Sequence, residues 1–398
     1  MRYVIAALAM AVFGLADGQT NLIEDGKAGF VVHEWGNAGA RGPSVCPNGR
    51  SLGYRQIYER SAEGRRRAGE SEGDFSNRLQ AGGYKFAVVD GENLCAFPAL
   101  AADPHYRTMN DTIVLAYGID LDAQYSTLKS RATANTCPHS DFRGVTGESG
   151  VDNQYLRLVG CSGTAPPDTG ASHTGWLPPA QEKKENTMLE GGWGILISLR
   201  GVDNLQNDDN VEIGIYANAD PIELSANREP IMYASYAADQ DPRFRGETRG
   251  RIANGVLTTD PVNVRFHWLV AGFHLERPLD HAQIRAKFNV NGTMEGYLAG
   301  FTPLEAMYDM QYGFRNAKDD SGRPVSSGLV SALATGAASA MGRSCNGAYA
   351  ALHALADGDR DPTTGQCTSL STQYFFRATP AFVVDVQTRT ANDSLTKP

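Results

Sequence analysis

No stretch of this 398-residue chain approaches the roughly 20 consecutive apolar residues that a bilayer-spanning helix needs. A helical membrane anchor is therefore not expected. Charge is sparse as well. Only 20% of residues are charged, and Lys+Arg (36) are outnumbered by Asp+Glu (45) for a net charge of -9. A nucleic-acid partner, which calls for a basic stripe, is excluded on that balance. The one basic run, Arg65-Arg66-Arg67, is flanked by Glu59, Glu63, Glu70, Glu72 and Asp74, and reads as a solvated mixed-charge loop.

Motifs that carry chemistry are equally scarce. There is no phosphate loop, dinucleotide fingerprint or Gly-x-Ser-x-Gly elbow, and His33-Glu34 lacks the second histidine of a zinc protease. Cys-x-x-Cys is absent, which disfavours zinc ribbons and thioredoxin-type exchange. Histidines number only 8, and His267, His274 and His281 recur every seven residues. If a hairpin turns at 271–272 with Val270 facing Phe273, then His267 lies opposite Glu276 rather than His274, so the spacing does not make a ligand set.

What the chain does have is an export-type start. Arg2, the apolar run 3–15 and the small-residue site Gly14-Leu15-Ala16 read as a secretory signal peptide over residues 1–16. The expected location is secreted or periplasmic. In such a compartment the six cysteines become disulfides. Sequence proximity suggests the pairs Cys46–Cys95, Cys137–Cys161 and Cys345–Cys367 among fifteen possible sets.

Glycine is abundant (43), and turn-forming residues break the chain into short apolar runs. Period-two alternation is clear at Ala282, Ile284, Ala286, Phe288 and Val290, at Val262, Val264, Phe266, Trp268 and Val270, and at Val211, Ile213 and Ile215. Ile195, Ile197 and Leu199 precede the last set across a hairpin loop at 204–210. Further strands are expected at 29–33, 84–89, 112–117, 155–159, 231–236, 292–300 and 374–386. The fold class that follows is mainly β: an antiparallel β-sandwich or jelly-roll-like domain over residues 17–387. A helical insertion is expected near the C-terminus, about 301–356, with Leu329, Leu333, Ala337 and Met341 on one helix face. Residues 388–398 read as a polar tail, and 44–77 and 162–187 as long loops.

Candidate functional residues are few. Asp357, Asp359 and Asp361 place carboxylates at alternate positions of a turning loop, a pattern suited to calcium, although Pro362 and Thr368 stand where an EF-hand loop has glycine and glutamate. Asp152 and Asn153 either shape their loop or point at a ligand. Of the four tryptophans, Trp35, Trp176, Trp193 and Trp268, Trp176 is the best placed to be an exposed sugar platform, and Trp268 sits on an apolar strand face.

The stretch from Cys137-Pro138-His139-Ser140-Asp141-Phe142 through Gly150-Val151-Asp152-Asn153 to Cys161 resembles a group of secreted proteins of unknown function from myxobacteria and other proteobacteria. The runs 199–203 and 211–216, and the segment 345–368 with its closing strand, are also similar. The resemblance implies secretion and a β-rich build, and carries no activity. Two expectations remain: non-catalytic binding of a glycan or another surface component, or a secreted polysaccharide hydrolase using loop carboxylates.

Overall fold

The computed structural model describes residues 22–385 apart from 44–45, 47, 110–114, 132–135, 163–167, 170–186, 271, 319–320 and 323. The signal-peptide reading for 1–16, the polar tail 388–398 and Trp176 lie outside the described residues. Mainly β structure is what forms. Among the described residues, eleven strands join one sheet.

Its backbone is an antiparallel path. Lys27–Asn37 pairs with Ile195–Arg200, which pairs with Asn207–Ala217, then Arg245–Ala253, Val256–Thr259, Phe273–Phe288, Met294–Pro303 and finally Cys367–Val384. The last strand also pairs with the first, Phe30 opposite Pro380 and Trp35 opposite Phe376. The sheet thus returns on itself around a buried core, consistent with the expected sandwich. The alternating runs supply that core: Ile213, Ile215, Leu257, Ile284 and Leu298 are all fully buried, the outcome that period-two patterning encodes.

The strand Val262–Val270 hairpins onto the first half of Phe273–Phe288 with Val270 opposite Phe273 and His267 opposite Glu276, the register expected from the sequence. His267 nevertheless bonds to Asp239 Oδ2 at 2.7 Å, while Glu276 takes Arg243 and Arg265. An irregularity at Asp280–Gln283, where His281 adopts φ 51°, lets the second half of the long strand leave the hairpin and enter the main sheet.

The closing strand is buried along most of its length, on both faces. Helices Gln154–Val159 and Cys345–Leu355 cover it. Helical structure over 301–356 is present as Leu304–Tyr308, a π-helical turn at Asp309–Gly313, Gly328–Ala340 and Cys345–Leu355. Its middle helix is rotated from the expected face. Val330, Ala334 and Ala338 are buried, whereas Leu329 (73% exposed) and Leu333 (48%) point outward, because the small residues allow the close approach against helices Tyr54–Arg60 and Glu72–Phe86.

Those two helices correct the reading of 44–77 as a loop and of 84–86 as strand; of the strand expected at 84–89, Val88–Val89 is extended. Glu72–Phe86 starts with Ser71 accepting from Asp74 N, an N-cap that outweighs the few apolar residues within it. Gly82 is required there: a Cβ would stand 2.1 Å from the Tyr58 ring. Residues 155–159 are likewise helical, not extended. Asn153 caps that helix through Leu156 N, and all six residues are buried, so the apolar run reflects burial on every side rather than a strand.

All six cysteines form disulfides, but in none of the pairs suggested by proximity. They join Cys46–Cys161, Cys95–Cys345 and Cys137–Cys367, at sequence separations of 115, 250 and 230. The physical reason is layering. Two of the three bonds tie the irregular 95–137 region to the C-terminal helices and closing strand, so neighbours in sequence are not neighbours in space.

The three described tryptophans, Trp35, Trp193 and Trp268, are core residues. Trp35 stacks on Tyr374 at 4.6 Å and meets Trp193 edge-on, and Trp193 meets Trp268 at 4.9 Å. Into this cluster projects Arg277, 1% exposed. Its Cζ lies 3.5 Å from the Trp268 ring centre and 4.7 Å from that of Tyr374. A desolvated cation–π contact of this kind returns about 2 kcal/mol or more. Each buried donor without an acceptor costs about 1–3 kcal/mol, and Nε, Nη1 and Nη2 all lack one.

Candidate metal centre

Four segments converge beside the closing strand. Residues 118–126 bring Asp120 and Asp122, the turn after Cys137 brings His139 and Asp141, the approach to helix Gln154–Val159 brings Asp152, and the end of helix Cys345–Leu355 brings Asp357. The closing strand holds them in register. Gln373 Oε1 accepts from Ile119 N at 3.0 Å, and its Nε2 donates to Ile119 O (2.8 Å) and Asp152 O (2.7 Å). Ser371 Oγ accepts from Gln154 N, while Ser371 N donates to Asp357 Oδ1 at 2.7 Å. The Cys137–Cys367 bond and the Cys137 N to Asp357 O hydrogen bond pin the histidine turn to the same strand. Gly150, at φ 90°, leaves room for Asp120, whose Oδ2 would stand 2.6 Å from any Cβ there.

At the centre, His139 is oriented by its Nδ1, 2.6 Å from Cys137 O. A ring N–H donated to a backbone carbonyl is the arrangement that leaves the other nitrogen facing a metal. Nε2 lies 2.9 Å from Asp141 Oδ1 and 3.0 Å from Asp152 Oδ1. The Asp152 contact is a hydrogen bond, whereas Asp141 Oδ1 sits off the bonding direction and has no aligned donor. These spacings are close to those of adjacent ligands around one cation with bonds of about 2.1 Å. Two three-residue sets result, His139/Asp141/Asp152 and Asp120/Asp122/Asp152, in each of which the ligating atoms lie within 4.8 Å of one another. The first is buried. In the second, Asp120 and Asp122 are half-buried, so that set reaches solvent.

Negative charge is in excess. Oδ1 of Asp120, Oδ2 of Asp122, Oδ1 of Asp141 and Oδ2 of Asp357 are buried and accept no hydrogen bond. Asp357 and Asp152 are fully buried and Asp141 is 5% exposed. Burial, reinforced by Asp141 and Asp357, pushes Asp152 well above the usual carboxylate range. Burial likewise raises Asp357 to about 6, and raises Asp120 to about 6 with Asp122 beside it. Burial would lower His139, but the adjacent Asp141 and Asp152 carboxylates and the nearby Asp357 charge hold it up at about 11. One imidazolium cannot neutralise five carboxylates. The donor set suits a divalent cation: an imidazole with carboxylates favours a first-row ion at the inner set, and carboxylates alone favour calcium at the outer one.

Of the residues singled out in the sequence, Asp152 stands at the heart of this centre and Asp357 at its edge. Asp359 and Asp361 do not join them. Asp359 Oδ1 pairs with His281 Nε2 at 3.1 Å, and Asp361 Oδ1 accepts from Thr363 N and Thr364 N within its own turn. Asn153 has a structural place, its Oδ1 on Leu156 N and its Nδ2 on Ala38 O. His139, Asp141, Asp120 and Asp122 were not legible as site residues. The only sequence signal is His139-x-Asp141 directly after Cys137, and nothing in the order of residues says that 120, 152 and 357 approach it.

No known protein family matches this chain, and no curated protein or solved structure shows significant similarity to it.

Proposed function

We propose that this is an exported, disulfide-stabilised β protein whose His139 centre takes up divalent cations and which binds a glycan or other surface component without catalysis. The observation that carries the cation reading is the two ligand sets that share Asp152, with donorless carboxylate oxygens on Asp120, Asp122, Asp141 and Asp357. A cation at Asp120, Asp122 and Asp152 has three protein carboxylates and needs six to eight oxygens if it is calcium. The remaining positions are open to water or to the hydroxyls of a sugar, which makes a glycan the partner class. Export is the reading of the leader-like start of the sequence, and the three disulfides are compatible with it, since oxidising compartments maintain them.

A second reading has its own observation. Asp120 is raised to about 6 in a half-buried carboxylate pair, the property of a general acid in polysaccharide hydrolysis. One experiment serves both. The purified full chain is titrated with Ca²⁺, Mn²⁺ and Zn²⁺ by calorimetry, then screened against polysaccharides with and without EDTA for retention and for reducing-end release. Cation-dependent retention without reducing ends supports binding. Reducing-end release that Asp120→Asn abolishes supports the hydrolase. Absence of cation uptake, with a melting temperature indifferent to EDTA, refutes the centre.

A further inference from the structure

We infer that Arg277 holds a small monovalent anion, a halide or a compact carboxylate, inside the core. The side chain lies opposite Phe266 in the hairpin, and its guanidinium rests against Trp268, with Tyr374 and, at 5.9 Å, Trp35. The rings supply π-faces and leave the N–H edge unserved: all three nitrogens are buried without an acceptor. Besides burial, which lowers its basicity, the groups that act on its charge are the hydroxyls of Tyr374 and Tyr155, and no carboxylate is among them.

Other buried arginines of the fold are built differently. Arg315 bonds Asp309 and Glu305 at 2.6 Å each, Arg157 bonds Gln154 Oε1 and Ser140 O, and Arg343 bonds Gln311 O. Each of these has an acceptor brought to it by the chain. Arg277 is ionised at neutral pH under ordinary circumstances, and a buried charge persists when it is paired. The rim of a guanidinium presents parallel N–H groups that match a carboxylate edge or cradle a halide. The packed aromatic surround restricts the occupant to something compact. This inference stands apart from the cation centre and does not use it.

The test uses the full disulfide-bonded chain. Thermal unfolding is followed in sodium chloride, bromide and formate, against sodium gluconate at matched ionic strength. A saturable rise of roughly 3–6 °C is expected in the binding anion and not in gluconate, and Arg277→Lys, which keeps the charge but loses the fork, is expected to lose that dependence. A larger response to halides assigns a halide, and a larger response to formate assigns a carboxylate. Should Arg277→Lys fail to fold, crystals of the unsubstituted protein grown in bromide and in formate decide the matter. An anomalous bromine peak, or formate density, at the guanidinium edge supports the inference. Water alone at that edge in both, or equal melting shifts in every salt, overturns it.

Discussion

Removing the Cys137–Cys367 disulfide, by replacing both residues with alanine, separates two roles that the bond combines. The direct loop is 230 residues, but Cys95–Cys345 already shortens it. The path runs about 42 residues back from Cys137 to Cys95, across that bond, and about 22 forward from Cys345 to Cys367, roughly 64 in all, for which the chain-entropy expression gives about 4 kcal/mol. The Cys46–Cys161 bond, treated the same way, closes a loop of roughly 95 residues and comes to about 5 kcal/mol. Urea unfolding should therefore rank the two losses within about 1 kcal/mol of each other, with the Cys46–Cys161 variant the slightly weaker protein. Cation uptake should not follow that order. Only Cys137–Cys367 anchors the turn that carries His139 and Asp141 to the strand beside Asp357, so calorimetric affinity should fall at least tenfold in that variant and stay near the original value in the other. Equal cation affinity in both variants would refute the argument that this bond assembles the centre.

Three further outcomes are expected. Gln373→Leu strips Ile119 N, Ile119 O and Asp152 O of their buried partner, and should cost about 3 kcal/mol or more in urea unfolding while also weakening cation binding. Asn153→Ala removes the cap of helix Gln154–Val159 and the bond to Ala38 O, for a loss of about 1–2 kcal/mol by the same measurement. His33 is held down at about 4 by burial and then by the Arg377 charge, so the unfolded chain binds its proton more readily. The stability it contributes is complete above about pH 6.5 and is lost as pH falls toward 4. The full span is about 3 kcal/mol, reduced because His33 is partly exposed. Comparing urea midpoints at pH 7.5 and 4.5 should show a smaller drop for His33→Gln than for the unsubstituted chain.

The strands were legible where one face meets the core and the other meets solvent. Ala282–Phe288 and Val262–Val270 alternate because the sheet is two-sided, and the His267–Glu276 register follows from the position of a two-residue turn. Legibility failed where burial is complete. Residues 155–159 are apolar on every side, so their period carries no information, and they are helical. The exposed Leu329 and Leu333 misled in the opposite sense, since alanines and serines formed the packed face of that helix. At the candidate centre, Asp152 and Asp357 drew notice through their local patterns, but both belong to a cluster assembled from four separate segments.

Composition and periodicity alone determined that this chain is β-rich and acidic, because those properties depend on residue type and on spacing along the backbone. The tertiary structure decided which cysteines meet, which carboxylates surround His139 and why Arg277 lies among aromatic rings. The disulfides and the approach of Asp357 to the His139 turn follow from how the 95–161 region layers onto the closing strand. The Arg277 cluster follows from Trp35 and Tyr374 being brought by distant strands to the hairpin that carries Trp268.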